Sequence, residues 1–168
     1  MTILRKAAFA AVGWIMLGAS AALADPLDDR VKELLPWVAE KTGYKAEQVK
    51  VTVIRVEPRT ITSIAYGIRQ DNGPEPEAVT AGATIFLPTS FRLGRNDDVL
   101  VHELVHVLQY ANDARFRCRS EQEKQAYETQ SAYVEEAGIG TKPDPFAVFL
   151  LHCTAYPVRY PSSLKPPG

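Results

Sequence analysis

An α+β fold is predicted for this chain from three observations. Apolar residues recur at helical spacing early in the sequence, short runs rich in β-branched residues fill its middle, and two further helical stretches come after them. That order points to a small antiparallel or mixed sheet. The sheet would pack on a helix carrying His102-Glu103-Leu104-Val105-His106 and on a glutamate-bearing helix that follows it.

The elements follow in turn. Residues Asp25 to Lys41 place Leu27, Val31, Leu34, Leu35 and Val38 on one helical face, and Gly43 is the stop. Lys50 to Val56 reads as a strand through Val51, Val53, Ile54 and Val56, and Thr60 to Tyr66 as a second. Asp71 to Pro76, rich in glycine and proline, reads as a loop. Thr84 to Leu87 is a third strand, closed by Pro88. Asn96 to Gln109 is a helix: Asn96 is a candidate N-cap, Asp97 and Asp98 suit the positive end of the dipole, and Val99, Leu100, Leu104, Val107 and Leu108 give it an apolar surface. Ser120 to Glu136 is the last long helix.

Upstream of all this, Arg5 and Lys6 precede an apolar run from Ala7 to Leu17, and Ala22-Leu23-Ala24 has the small-x-small pattern of a signal-peptide cleavage site. The run is short for a membrane span and no cysteine follows it. The expected organisation is therefore a signal peptide over 1–24, one domain over 25–156 and a proline-rich tail over 157–168, with export to a periplasm or the cell exterior and no membrane anchor after cleavage. The formal net charge is -1. No like-charge block, glycine-rich phosphate loop or basic-aromatic interleaving occurs, which argues against a nucleic-acid partner.

Two of the chain's three histidines, His102 and His106, are four residues apart and so share one helical face. Two imidazoles so placed can bind one Zn²⁺ at about 2.0–2.1 Å each, while Glu103, one step round the helix, reaches a metal-bound water in the role of base. The bland reading is a buried amphipathic helix whose histidines only hydrogen-bond in the core. A catalytic zinc keeps three protein ligands and an open position, so a third ligand is needed.

Downstream, the last long helix carries Glu121, Glu123, Glu128, Glu135 and Glu136, and Glu123-Lys124-Gln125-Ala126 has a Glu-x-x-Ala pattern. Here the chain resembles the gluzincins, the thermolysin-like superfamily of zinc metallopeptidases, in which a glutamate on a following helix completes the metal site. The resemblance spans mainly residues 97–133. It implies a zincin-like fold, Glu123 as third ligand, Ala126 as the small residue where the two helices approach, and hydrolysis of peptide bonds by a metal-activated water. Glu128 and Glu121 are the rival ligands. The chain departs from the family in having Tyr127 and Glu128 where a supporting aspartate often follows the alanine. A metzincin site is ruled out, because Gln109 and Asn112 stand at its glycine and third-histidine positions.

The family resemblance also implies that the strand before the metal helix, here Ala83 to Phe86, is the sheet edge along which a peptide substrate docks. An oxyanion-stabilising side chain would come from His152, Tyr127, Tyr133 or Tyr156. Gln109, Tyr110 and Gln130 lie where they can hydrogen-bond the ligands. Cys118 and Cys153, the only cysteines, read as one disulfide in an exported protein, contributing about 3–4 kcal/mol by the chain-entropy model. Two function classes remain: an exported zinc-dependent metallopeptidase acting on a peptide or protein substrate, and a non-catalytic zincin-like binding module with a structural zinc. Retention of Glu103 favours the first, since a structural site needs no base there.

Overall fold

The computed structural model describes residues 25–66, 76–150 and 153. The expected signal peptide, most of the Asp71 to Pro76 loop, His152, Tyr156 and the proline-rich tail lie outside the described residues.

The first helix, α1, spans Pro26–Thr42. It begins where the Asp25 carboxylate accepts from Leu27 N at 3.0 Å and Pro26 fills a position that needs no donor. It ends at Gly43, whose φ of 74° only glycine adopts without strain, and whose N–H reaches the Ala39 carbonyl. Leu27, Val31, Leu34, Leu35 and Val38 are its buried face, as their spacing predicts. Pro36 lies inside the helix on its exposed side, where losing one backbone donor exposes no apolar surface.

Strand β1 is Thr52–Val56, and helix α2, Pro58–Tyr66, follows at once. The expectation of a strand over Thr60 to Tyr66 is therefore wrong. Its β-branched residues suggested extension, but Pro58 starts a helical turn, and Pro58, Ile61, Thr62 and Ala65 are the sheltered positions, a helical spacing. The hydroxyls of Thr62 and Ser63 donate to the carbonyls of Pro58 and Arg59 four residues back, which lets polar β-branched chemistry sit in a helix.

Strands β2, Val79–Ala81, and β3, Thr84–Pro88, complete a three-stranded mixed sheet in the order β1-β3-β2. β1 runs parallel to β3, and β2 antiparallel to it. The parallel pair needs a crossover, which α2 and the residues after it supply. β3 is thus the central strand, with Ile85 and Leu87 fully buried. This corrects the expectation that Ala83 to Phe86 forms an edge. The edge on that side is β2, a strand of three residues that is too short for its alternation to register in the sequence.

Helix α3, Asp97–Ala111, runs through the middle of the molecule, and twelve of its residues are buried, Asp97 and Asp98 among them. It is covered by the sheet, by α1 and by α4, Arg119–Ala137. Asn96 stands at the N-cap position, but its side chain accepts from Arg92 N at 3.0 Å and does not cap the helix. Asp97 is fully buried and takes an ion pair from Arg30 of α1 at 2.7 Å, so its role is a specific contact as well as a dipole interaction. A short helix α5, Pro145–Phe149, leaves Phe146, Phe149 and Leu150 exposed. A disulfide joins Cys118, just before α4, to Cys153 beyond α5. Among the described residues no helix is long and apolar enough to cross a membrane.

Candidate metal centre

Helical arithmetic assembles the centre. His102 and His106 are one turn apart on α3, with ring centroids 4.9 Å apart. On α4 the buried positions are Ala126, Thr129, Gln130 and Tyr133. Glu123 lies three residues before Ala126 and seven before Gln130, so it falls on the face turned to α3. Ala126, wholly buried, has no side chain long enough to hold the two helices apart. The result is that His102, His106 and Glu123 converge, each offering one ligand atom to a common point.

Their separations make a near-equilateral triangle: His102 Nε2 to His106 Nε2 is 3.2 Å, His102 Nε2 to Glu123 Oε2 3.4 Å, and His106 Nε2 to Glu123 Oε2 3.2 Å. Ligands about 2.0–2.1 Å from a tetrahedral ion stand about 3.3–3.4 Å from one another, so the triangle has the size of one face of such a site. The other glutamates of α4 point elsewhere. Glu121 pairs with Arg117 at 3.0 Å, Glu128 with Lys124 at 3.3 Å, Glu135 with Lys142 and Glu136 with Lys41. The two rival ligands are thus committed to exposed ion pairs.

The surrounding hydrogen bonds decide what the triangle wants. Gln109 Nε2 donates to the Gln122 carbonyl and to Gln125 Oε1, at 3.1 and 2.9 Å. Its other end, Oε1, must then accept, and it lies 2.8 Å from His106 Nδ1. Gln130 Nε2 donates to Asp98 Oδ2 at 3.1 Å, so its Oε1, 3.2 Å from His102 Nδ1, is likewise an acceptor. Both imidazoles therefore carry a proton on Nδ1 and turn Nε2 inward. With both rings neutral, two Nε2 lone pairs and a carboxylate oxygen meet at one point, an arrangement that repels itself unless a positive charge, a metal ion or an added proton, sits at its centre. The donor set, two neutral imidazoles and one carboxylate in a largely buried site, fits a divalent metal ion.

The electrostatics show the same demand for positive charge at that point. Burial alone would push the Glu123 carboxyl up, but the facing imidazoles of His102 and His106 hold it far below the usual carboxylate range. Burial alone would push His106 down, yet the Glu123 carboxylate, with Glu103 nearby, raises it above the ordinary histidine value. Arg119 Nε donates to the remaining Glu123 oxygen, Oε1, at 3.1 Å, leaving Oε2 as the oxygen directed at the imidazoles.

Glu103 is buried beside the triangle and contributes no atom to it. Its Oε2 accepts from the Thr80 hydroxyl at 2.7 Å. Among the expected oxyanion donors, Tyr127 packs edge-on against His102 with centroids 4.5 Å apart. Tyr133 is taken up elsewhere, its hydroxyl accepting from Arg30 at 2.8 Å and its ring packed on Trp37. Tyr110, expected near the ligands, instead lies over Gly82 at the β2–β3 turn and is half exposed. A cleft of about 410 Å³ opens next to Tyr127 and Gln130, lined also by Asp98, Arg95 and Lys142.

Sequence reasoning missed Asp98, Gln125, Arg119 and Thr80 as supports of the centre. Asp98 and Arg119 carry a usable signal, since each lies one turn before a ligand on its own helix. Thr80 carries none, because its partner is reached only through the sheet.

Fold and site together define a small α+β protein with a largely buried His-His-Glu group able to hold a metal ion. The chain belongs to the family described as Domain of unknown function (DUF6647), whose model matches residues 23–158. No curated protein and no solved structure matches it.

Proposed function

We propose that this protein is an exported zinc-dependent metallopeptidase with a zincin-like, gluzincin-type centre, in which His102, His106 and Glu123 hold the ion and Glu103 is the general base. The observation that carries the reading is the triangle of His102, His106 and Glu123, next to a buried carboxylate that belongs to the same helix as the histidines but stays out of the triangle. A metal with merely structural work has no use for that carboxylate. A zinc ion held there would supply a Lewis acid, able to polarise a carbonyl and to ease deprotonation of water near neutral pH.

The chain's own residues supply the rest. Glu103 takes the proton from the attacking water and returns it to the leaving amine. Gln109 and Gln130 keep both imidazoles in the tautomer that presents Nε2. Tyr127, packed on His102, is the proposed oxyanion donor that the described residues bring against a ligand. An extended peptide pairs along the outer edge of β2, the edge strand closest to Glu103, and the cleft beside Tyr127 takes its side chains. Export is supported by the Cys118–Cys153 disulfide, which persists in oxidising compartments.

Metal analysis and a peptide-library cleavage profile test the reading together. The purified protein should carry about one zinc per chain, lost in His102→Ala and in His106→Ala. Glu103→Gln should keep the zinc and lose hydrolysis. Metal retained after both histidine changes would remove the site, while a zinc-loaded parent that cleaves no peptide would favour the binding module with a structural zinc.

A further inference from the structure

In the antiparallel pairing of β2 with β3, Thr80 stands opposite Ile85, so the two side chains share a face. Ile85 is fully buried, and that face packs on α3, where Leu100, Leu104 and Val107 are also fully buried. Valine has the shape of threonine and would fill this apolar layer without a polar atom to satisfy. The chain instead places a hydroxyl here, 2.7 Å from Glu103 Oε2 and 3.2 Å from the Glu103 carbonyl oxygen. A hydroxyl has one proton, and the shorter contact, to the charged oxygen, takes it.

Glu103 is only 6% exposed, and a carboxylate that buried requires a donor. Thr80 donates a hydrogen bond to that carboxylate. The donor is rigid at both ends. Its β-branched side chain has few χ1 choices, and its backbone is registered against β3 through Val79, Thr80 and Ala81. Glu103 for its part is fixed on a helix buried on nearly every side.

We infer that Thr80 is the positioning residue for Glu103, holding Oε2 so that Oε1 is the oxygen that exchanges the proton. The inference rests on the hydrolase reading for its catalytic consequence, though the hydrogen bond itself does not. It also ties two parts of the site together: the strand whose outer edge would receive a peptide is the strand that orients the base. Sliding or fraying of β2 would misplace both at once.

A double-mutant cycle on the full-length, disulfide-bonded protein separates this role from ordinary packing. Thr80→Val keeps shape and volume, so its effect on the unfolding equilibrium should be roughly tenfold or more when Glu103 is present. In a Glu103→Ala background the same change should have a clearly smaller effect, because the hydroxyl then keeps only the backbone carbonyl of residue 103 as its acceptor. Additive effects would overturn the inference, since they would mean that the hydroxyl does nothing for Glu103. On a peptide found by library profiling, Thr80→Val should lower kcat roughly tenfold to hundredfold with KM and zinc content unchanged, and Thr80→Ser should restore most of it. A serine variant as slow as the valine one, or a valine variant as fast as the parent, would overturn the positioning role. If the parent cleaves no peptide, the hydrolase reading fails, and the cycle alone decides whether Thr80 holds Glu103.

Discussion

Asp98 and His102, one turn apart on α3, are joined through a single carboxamide: Gln130 of α4 accepts from His102 Nδ1 at 3.2 Å and donates to Asp98 Oδ2 at 3.1 Å. Asp98 is buried, and the same oxygen also accepts from Thr141 N at 3.2 Å. The imidazole thus receives a neutral amide, with the carboxylate one step further out. A directly bonded carboxylate would draw the imidazole proton towards itself. The amide fixes the tautomer without adding a second negative charge next to Glu123.

Gln130→Ala should therefore loosen His102 in both rotation and tautomer. Metal affinity is expected to fall about tenfold to hundredfold. Stability should drop as well, by about 1–3 kcal/mol, because Asp98 loses a buried donor. Competition against a chromogenic chelator measures the first and denaturant unfolding the second. An unchanged affinity would show that α3 alone fixes the ring.

Removing the metal should cost stability through the same triangle. With no ion, two imidazole nitrogens and a carboxylate oxygen stand 3.2–3.4 Å apart in a largely buried site and need a proton in the ion's place. At free zinc about a hundredfold above the dissociation constant, binding to the folded state alone is worth about 2.7 kcal/mol. Calorimetry with added chelator should lower Tm, and added zinc should restore it. Equal Tm in both conditions would mean that the folded centre takes no ion.

Much of this was legible from the letters, and the limits have physical causes. His102, Glu103 and His106 are local on one helix, so spacing alone sets their relation. α1 was legible because Asp25, Gly43 and the Leu27-to-Val38 stripe agree with one another. Placing Glu123 needed a resemblance, because five glutamates on α4 have the same helical chemistry and only packing separates them; Ala126 is the residue that reveals which face is inside. The Thr60–Tyr66 stretch misled because β-branched residues favour strands on average, whereas here the hydroxyls of Thr62 and Ser63 bond within a helix behind Pro58. β2 and the Thr80–Glu103 bond were out of reach, since a three-residue strand has no periodicity to read and the bond spans 23 residues of chain.

Gly140 is the next sensitive point. It adopts φ of +92°, and a Cβ built there would stand 2.5 Å from Asp98 Cγ. Gly140→Ala should combine backbone strain of about 1–3 kcal/mol with displacement of Asp98, and through Gln130 disturb His102. Gly94→Ala is the comparison: its φ is +79°, but nothing lies within 4 Å of the added carbon. Both variants should lose stability in denaturant titrations, whereas only Gly140→Ala should also weaken zinc binding. Equal zinc affinity in the two variants would break the proposed chain from Asp98 to the ligand.

The Cys118–Cys153 disulfide acts at the other end of α4, closing a loop of 35 residues that contains Glu123, Gln130 and the segment after α4. By chain entropy it contributes about 3–4 kcal/mol. Cys118 is the residue before Arg119, and Arg119 Nε donates to Glu123 Oε1, so the cross-link also steadies the first turn that orients the ligand. Replacing both cysteines with serine should lower unfolding free energy by about that amount, with a smaller fall in zinc affinity from fraying at Arg119. Zinc should offset part of the lost stability, since the ion bridges α3 and α4 without the cross-link. Denaturant unfolding with and without zinc measures both effects, and a double variant as stable as the parent would show that packing alone holds this end of α4.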